Sequence, residues 1–277
     1  MLHVLFRLLR YFALFAALLA LVYFIFSLFV RPSLERDWTA DQMVLARAEI
    51  SGNTAAIKDI RNINYHSTSD YDVAYYDKTF DIEKLESVWF IVEPFSGHGA
   101  GAAHTFVSFG FEGGDYVAIS VEIRKEKGES FSPVKGLLRR YEIVYVIADE
   151  RDVVKLRSNY RKDEVFLYPA KTSKENMKKL FVSMLLRANK LATEPEFYNT
   201  LTNTCTTNLV SHVNEIVPRR IPVSYKVLMP AYSDELAQEI GLIDNALPIA
   251  LMRAKYRIND KALLFADDPL FSQKIRE

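Results

Sequence analysis

The chain contains a single cysteine, Cys205, in the stretch FYNTLTNTCTTNLVSHV, where Asn203, Thr204, Thr206 and Thr207 supply capping groups just ahead of an apolar helical run. A thiol at a helix start lies beside unpaired amide hydrogens and the positive end of the helix dipole, which favour thiolate and can hold an oxyanion. With histidines and carboxylates elsewhere in the chain, Cys205 is a candidate nucleophile. The alternative is an inert buried cysteine.

A base is offered by His104. Residues 103–111 (AHTFVSFGF) and 115–124 (DYVAISVEIR) flank Glu112-Gly113-Gly114, a glycine loop that closes a β-hairpin. Keeping Thr105, Val107, Phe109 and Phe111 on one face with Val117, Ile119, Val121 and Ile123 requires paired residue numbers with an even sum, because a one-residue slip flips every side chain. A three-residue loop then pairs Phe111 with Asp115 and sets His104 opposite Glu122 on the other face, with Ser120 one pair along. An acid beside an imidazole orients a catalytic histidine and stabilises its protonated form; the alternative is a cross-strand charge pair on a solvated face. Ser120 is the second candidate to orient the ring, and His98, in the loop SGHGAG, competes as base. His212, seven residues after Cys205 and about 10 Å along a helix, is expected to be structural. His3 and His66 join no spaced acid-histidine cluster, so neither a metal nor a cofactor is expected. No G-x-S-x-G is present to suggest a serine hydrolase.

These residues need elements to hold them. The chain has 277 residues, 35 basic and 35 acidic, with 49% apolar residues, a balance that excludes a disordered chain and makes nucleic acid an unexpected partner. Residues 11–30 (YFALFAALLALVYFIFSLFV) carry no charge and read as a transmembrane helix rather than the shorter apolar run of a cleaved signal. Arg7 and Arg10 precede it, so residues 1–10 are expected in the cytoplasm and the following domain on the outer face. Residues 31–42 form a juxtamembrane linker in which Trp38 is expected at headgroup depth, and residues 43–277 form one α+β domain.

Within it, 43–50 and 55–65 form an opening hairpin around Ser51-Gly52-Asn53, and 87–93, 103–111, 115–124, 141–148 and 164–169 complete a largely antiparallel sheet. Helices are expected over 173–191, 206–217 and 234–240, ended in the last two by Pro218 and Gly241.

The segments GAAHTFVSFGF, AISVEIRKEKGESFS, LLRRYEIVYVIADERDVVKLR, FYNTLTNTCTTNL, GLID and FSQKIR, in that order, resemble the Lnb N-terminal periplasmic domain family over roughly residues 37–275. That family is similar to circularly permuted papain-like folds, the group of the lecithin retinol acyltransferases and NlpC-type peptidases. The resemblance implies a bacterial inner-membrane lipoprotein N-acyltransferase, in which a thiol takes an acyl chain from a phospholipid and passes it to the N-terminal cysteine amine of a diacylated lipoprotein. It implies His104 as base and Cys205 as nucleophile, with Glu122 or Ser120 as the third member. Arg61, Arg124 and Arg139 are candidates to hold a lipid phosphate, with Asn203 and Tyr198 as further substrate-binding candidates. Ordinary structural roles are the alternative for each arginine, and ordinary core the alternative to an acyl groove for the apolar stretch from Ile221 to Leu251. Two other functions share the constellation: a cysteine peptidase or amidase acting on cell-wall peptide, and a non-catalytic binding module.

Overall fold

The computed structural model describes residues 2–97, 101–218 and 220–277. Helix α1 (Leu2–Phe29) begins nine residues earlier than the uncharged run, taking in Arg7 and Arg10. Its segment His3–Phe29 is long and apolar enough to cross a membrane, and none of its residues is buried against the rest of the chain. The next residues do not stay at the surface. Trp38 is buried, donating its indole N–H to the carbonyl of Leu34 at 2.7 Å, with the guanidinium of Arg124 stacked 4.2 Å above its ring. The expected headgroup anchor is therefore part of the domain, because an arginine on the sheet supplies a cation–π partner that pulls it in.

Eight strands form one sheet: β1 (Arg47–Ser51), β2 (Thr54–Arg61), β3 (Tyr75–Asp81), β4 (Leu85–Pro94), β5 (Ala103–Phe111), β6 (Asp115–Arg124), β7 (Glu142–Ala148) and β8 (Phe166–Pro169). Their order is β1-β2-β7-β6-β5-β4-β8, with β3 also on β2. All pairs are antiparallel except β2 with β7, which meet only through Arg61 and Ala148. The opening hairpin turns at Gly52 with φ of 55°, a backbone that glycine adopts without Cβ strain. Its second strand ends at Arg61, and residues 64–65 pair instead with 71–72. Strand β3 has few apolar residues in YYDKTFD, which is why its sequence carries little strand signal.

The β5–β6 register has the expected even sum, from Phe111 with Asp115 to Phe106 with Ser120. Odd-numbered Val107, Phe109, Val117 and Ile119 face α4 (Lys174–Leu191) and α5 (Cys205–Ile216) across the larger core. The even face is buried as well, so the alternative of a charge pair on a solvated face does not hold. Phe106, Ala118 and Val146 pack against a helix α3 (Glu150–Lys155), Ala262 and Phe271. Every residue of β5 is buried, so alternation along it marks two cores rather than a core and a solvent face.

Helix α3 is invisible to periodicity because its apolar residues, Val153 and Val154, are too few to make a stripe. It runs on into a π-helical turn over Leu156–Arg161 and stops at Lys162, whose φ is 60°. Single π turns of this kind accompany functional sites. The third expected helix is observed as Ser233–Glu239, and short helices over Ile249–Tyr256, Asn259–Leu264 and Phe271–Lys274 pack on β8, on the π turn and on α3 respectively.

Candidate active site

Cys205 is the first residue of α5. Thr204 caps the helix, its hydroxyl accepting from Thr207 N at 3.2 Å while the Thr207 hydroxyl accepts from Thr204 N at 2.7 Å. This reciprocal box fixes the turn. The preceding loop is held by Asn203, which donates to the Phe197 carbonyl at 2.8 Å and accepts from the Asn208 amide at 2.8 Å. Asn203 is thus occupied in building the loop. The thiol is buried, with Sγ 3.7 Å from the hydroxyl of Thr206, which in turn lies 3.1 Å from that of Thr105. Tyr198 sits beside it: burial, then the neighbouring Cys205, hold its phenol well above the usual value. Backbone N–H groups of Cys205 and Thr206 have no acceptor among the described residues, as expected for a first helical turn.

His104 and Glu122 share the even face, but Ser120 stands between them. The Nε2 atom of His104 is 2.7 Å from Ser120 Oγ, and Ser120 donates its hydroxyl to Glu122 Oε1 at 2.8 Å. A hydroxyl has one hydrogen and an ionised carboxylate has none to give. Ser120 therefore accepts from His104, which places the ring proton on Nε2 and leaves the lone pair on Nδ1. That nitrogen has no hydrogen-bond partner among the described residues. Burial, then the Arg157 charge, depress the imidazole pKa to about 3, against the weaker pull of Glu122. The resting ring is neutral and able to accept a proton.

Arg157, on the π turn, ties this relay to the interior. Its Nε donates to Glu93 at 2.6 Å and a terminal nitrogen donates to Glu122 at 2.8 Å, with the guanidinium 4.8 Å from the Phe106 ring centre. Glu93 pairs directly with His104 across β4–β5 and is fully buried. Burial would raise the Glu122 pKa, but Arg157, Arg61 and His104 outweigh it and hold the carboxyl well below its usual value. At Glu93 burial wins, and its pKa is raised despite Arg157. Neither Glu93 nor Arg157 was singled out from sequence. The available signal was a lone acid ending the apolar strand SVWFIVE, which needs a buried cation.

His104 and Cys205 line one cleft of about 450 Å³, together with Glu122, Phe131, Arg157 and Tyr198. The cleft exists because the hairpin strands part company. Pairing between β5 and β6 ends at Phe106 with Ser120, while β5 continues with β4 and β6 with β7. No hydrogen bond joins the thiol to the ring among the described residues. Behind Thr206 lies a second cavity of about 310 Å³, lined by Val107, Leu180, Leu209, Val213 and, from the stretch after Ile221, Leu236 and Ile240.

The three arginines do not converge on this cleft. Arg61 is buried in a two-pronged pair with Asp152 at 2.8 and 2.9 Å and also donates to the Asp41 carbonyl. Arg124 donates to the carbonyls of Gln42 and Met43 at 3.0 and 2.8 Å. Their guanidinium donors are taken by the fold, since a buried cation must be paired. Arg139 donates to the Ser27 carbonyl on α1 at 3.1 Å. His212 is buried between Tyr145 at 2.9 Å and Ser183 at 2.7 Å. His98 lies outside the described residues.

No curated protein and no solved structure matches the chain. The family described as the Lnb N-terminal periplasmic domain matches residues 71–231, a narrower stretch than the sequence resemblance covers but more than half of the chain, and it contains His104, Ser120, Glu122, Arg157 and Cys205. By this match the chain belongs to the Lnb N-terminal periplasmic domain family.

Proposed function

We propose that the chain is a membrane-anchored lipoprotein N-acyltransferase that uses Cys205 as nucleophile and His104 as base. The observation that carries this reading is the Glu122–Ser120–His104 relay, which leaves a lone pair on Nδ1 in the cleft that also holds the thiol. Family membership supports lipoprotein processing. The chain order, histidine strand before cysteine helix, supports a circularly permuted papain-like domain over residues 43–277. One apolar helix supports a single-pass anchor, with residues 31–42 docked on the domain through the buried Trp38 and Arg7 and Arg10 favouring a cytoplasmic N-terminus.

In the first half-reaction the Cys205 sulfur attacks a phospholipid ester carbonyl. Nδ1 takes the thiol proton and delivers it to the departing glycerol oxygen, releasing lysophospholipid and leaving a thioester. In the second, the N-terminal amine of the lipoprotein attacks the thioester; Nδ1 removes a proton from nitrogen and returns it to sulfur. The free amides of Cys205 and Thr206 are the candidate oxyanion donors in both. The apolar cavity behind Thr206 suits an acyl chain.

The full chain, incubated with phospholipid vesicles and read by intact mass, is expected to gain one fatty-acyl increment that neutral hydroxylamine removes. A thiol that alkylates freely yet never acylates would overturn the transferase reading. Ser120 is a positioning residue in this scheme. Ser120→Ala leaves the buried Nε2–H without an acceptor, at a cost of about 1–3 kcal/mol, so lysophospholipid release should fall roughly 10–100-fold. Glu122→Gln keeps a carbonyl oxygen for Ser120 and should cost less, while Ser120→Thr retains the hydroxyl and should recover most of the rate. Parental activity in Ser120→Ala would remove the relay from the mechanism.

A further inference from the structure

The segment from Ser130 to Tyr141, SFSPVKGLLRRY, contains Lys135, Arg139 and Arg140 but no acid. A short helix α2 (Pro133–Leu137) forms there, and Phe131, Val134, Leu137 and Leu138 are 44%, 63%, 36% and 43% exposed. Two hydrogen bonds fix this segment to α1: the Tyr23 hydroxyl donates to the Leu137 carbonyl at 3.0 Å, and Arg139 to the Ser27 carbonyl at 3.1 Å. Tyr23 and Ser27 lie about 9 and 3 Å before the end of α1, at 1.5 Å per residue, inside the apolar span. Residues 137–139 are therefore held beside the last turns of the helix, which, once α1 spans a bilayer, is the depth where headgroups give way to acyl chains.

We propose that residues 131–140 form a ledge that sits in the phospholipid interface, with Val134, Leu137 and Leu138 among the upper acyl chains and Lys135 and Arg140 reaching the phosphates. Apolar area with flanking cations is the composition that binds such a surface. Continuity with the apolar flank of α1 makes lipid, rather than a soluble protein, the occupant. The ledge is joined to the cleft. Thr200 donates its hydroxyl to the Pro133 carbonyl at 2.7 Å, and Gly136 lies so close to Thr200 and Tyr198 that a Cβ there would clash with the Thr200 hydroxyl. Phe131 lines the cleft and packs edge-on against Tyr198 at 6.4 Å. The ledge thus opens the cleft at ester depth, independently of which acyl acceptor is used.

The test uses the full chain in phosphatidylcholine–phosphatidylglycerol vesicles, with Cys205→Ser providing a background free of other thiols. Nitroxide labels are placed singly at Val134→Cys, Leu138→Cys, Leu18→Cys within α1, and Glu175→Cys, an exposed position in the first turn of α4. Labels at 134, 138 and 18 should be reached several-fold better by oxygen than by a water-soluble nickel complex, relative to the label at 175. A lipid-buried label at 18 with a nickel-accessible label at 134 would overturn the ledge alone. An immobile label at 134 reached by neither reagent would overturn it in favour of a covering protein, and a nickel-accessible label at 18 would remove its premise. None of these outcomes depends on acyl transfer, so the ledge and the proposed activity fail separately.

Discussion

Cys205→Ser should abolish both the acyl increment and lysophospholipid release, with a rate loss of at least about 10³-fold, while unfolding stays close to the parent. A thiol has an ordinary pKa of about 8.5 and gives up its proton several powers of ten more readily than an alcohol. The proposed base, His104, is weak. With a pKa near 3, the His104 ring can accept a proton only when the donor is easily ionised and the charge formed is stabilised at once. A serine at this position needs a stronger base than the site holds. The replacement is nearly isosteric and leaves the capping box of Thr204 and Thr207 untouched, so lost activity can be assigned to sulfur. Lysophospholipid release at the parental rate from a folded Cys205→Ser chain would end the nucleophile assignment.

Arg157→Ala should be strongly destabilising. It strips a fully buried cation from Glu93 and Glu122, and breaking a buried pair from one side costs about 3–5 kcal/mol because the remaining charge is uncompensated. For a domain of this size that lowers Tm by roughly 6–20 °C. The deficit should also depend on pH. In the parent, the depressed pKa values of His104 and Glu122 mean the unfolded chain binds protons that the folded chain does not. Their stabilisation is complete above the unfolded values of about 6.5 and 4.3 and is lost as pH falls through that window towards the folded ones. Without Arg157, His104 loses its cationic neighbour and titrates higher, and Glu93 loses the partner that restrains its raised pKa. A carboxyl with a raised folded pKa contributes stability at low pH that disappears as pH rises. The Tm gap between variant and parent, measured in detergent, should therefore be smaller at pH 5 than at pH 8. An equal or larger gap at pH 5 would contradict the charge network. Arg157→Lys should not restore stability, because one ammonium cannot reproduce donors aimed at two separate carboxylates.

The legible parts of the fold were those set by local or periodic constraints. The even-sum register of β5 and β6 followed from side-chain alternation and a three-residue glycine loop, and it put His104, Ser120 and Glu122 on one face. The start of α5 at Cys205 followed from threonines that cap better than they propagate a helix. Helix α1 followed from length and absence of charge, although that criterion could not find its first nine residues, which include Arg7 and Arg10. The short helices near the C-terminus and β3 carry too little pattern to stand out, because their stability comes from the surfaces they cover.

Charged residues set the other limit. Arg61, Arg124 and Arg139 look equally suited to phosphate in sequence, yet Asp152, the carbonyls of residues 42 and 43, and α1 take up their donors. The distinction between a functional and a structural arginine is a matter of which acceptor lies within about 3 Å, and residues up to 112 positions apart supply it. By itself, then, the amino-acid order determined the helix that begins at Cys205, the strand of His104 and the long apolar helix α1, since each depends on neighbours within a few residues. Only the tertiary structure decided that Ser120 bridges His104 to Glu122, that Arg157 locks the relay from a π turn, and that the cleft opens where β5 and β6 part. Those outcomes depend on packing both sheet faces at once, which no local pattern encodes.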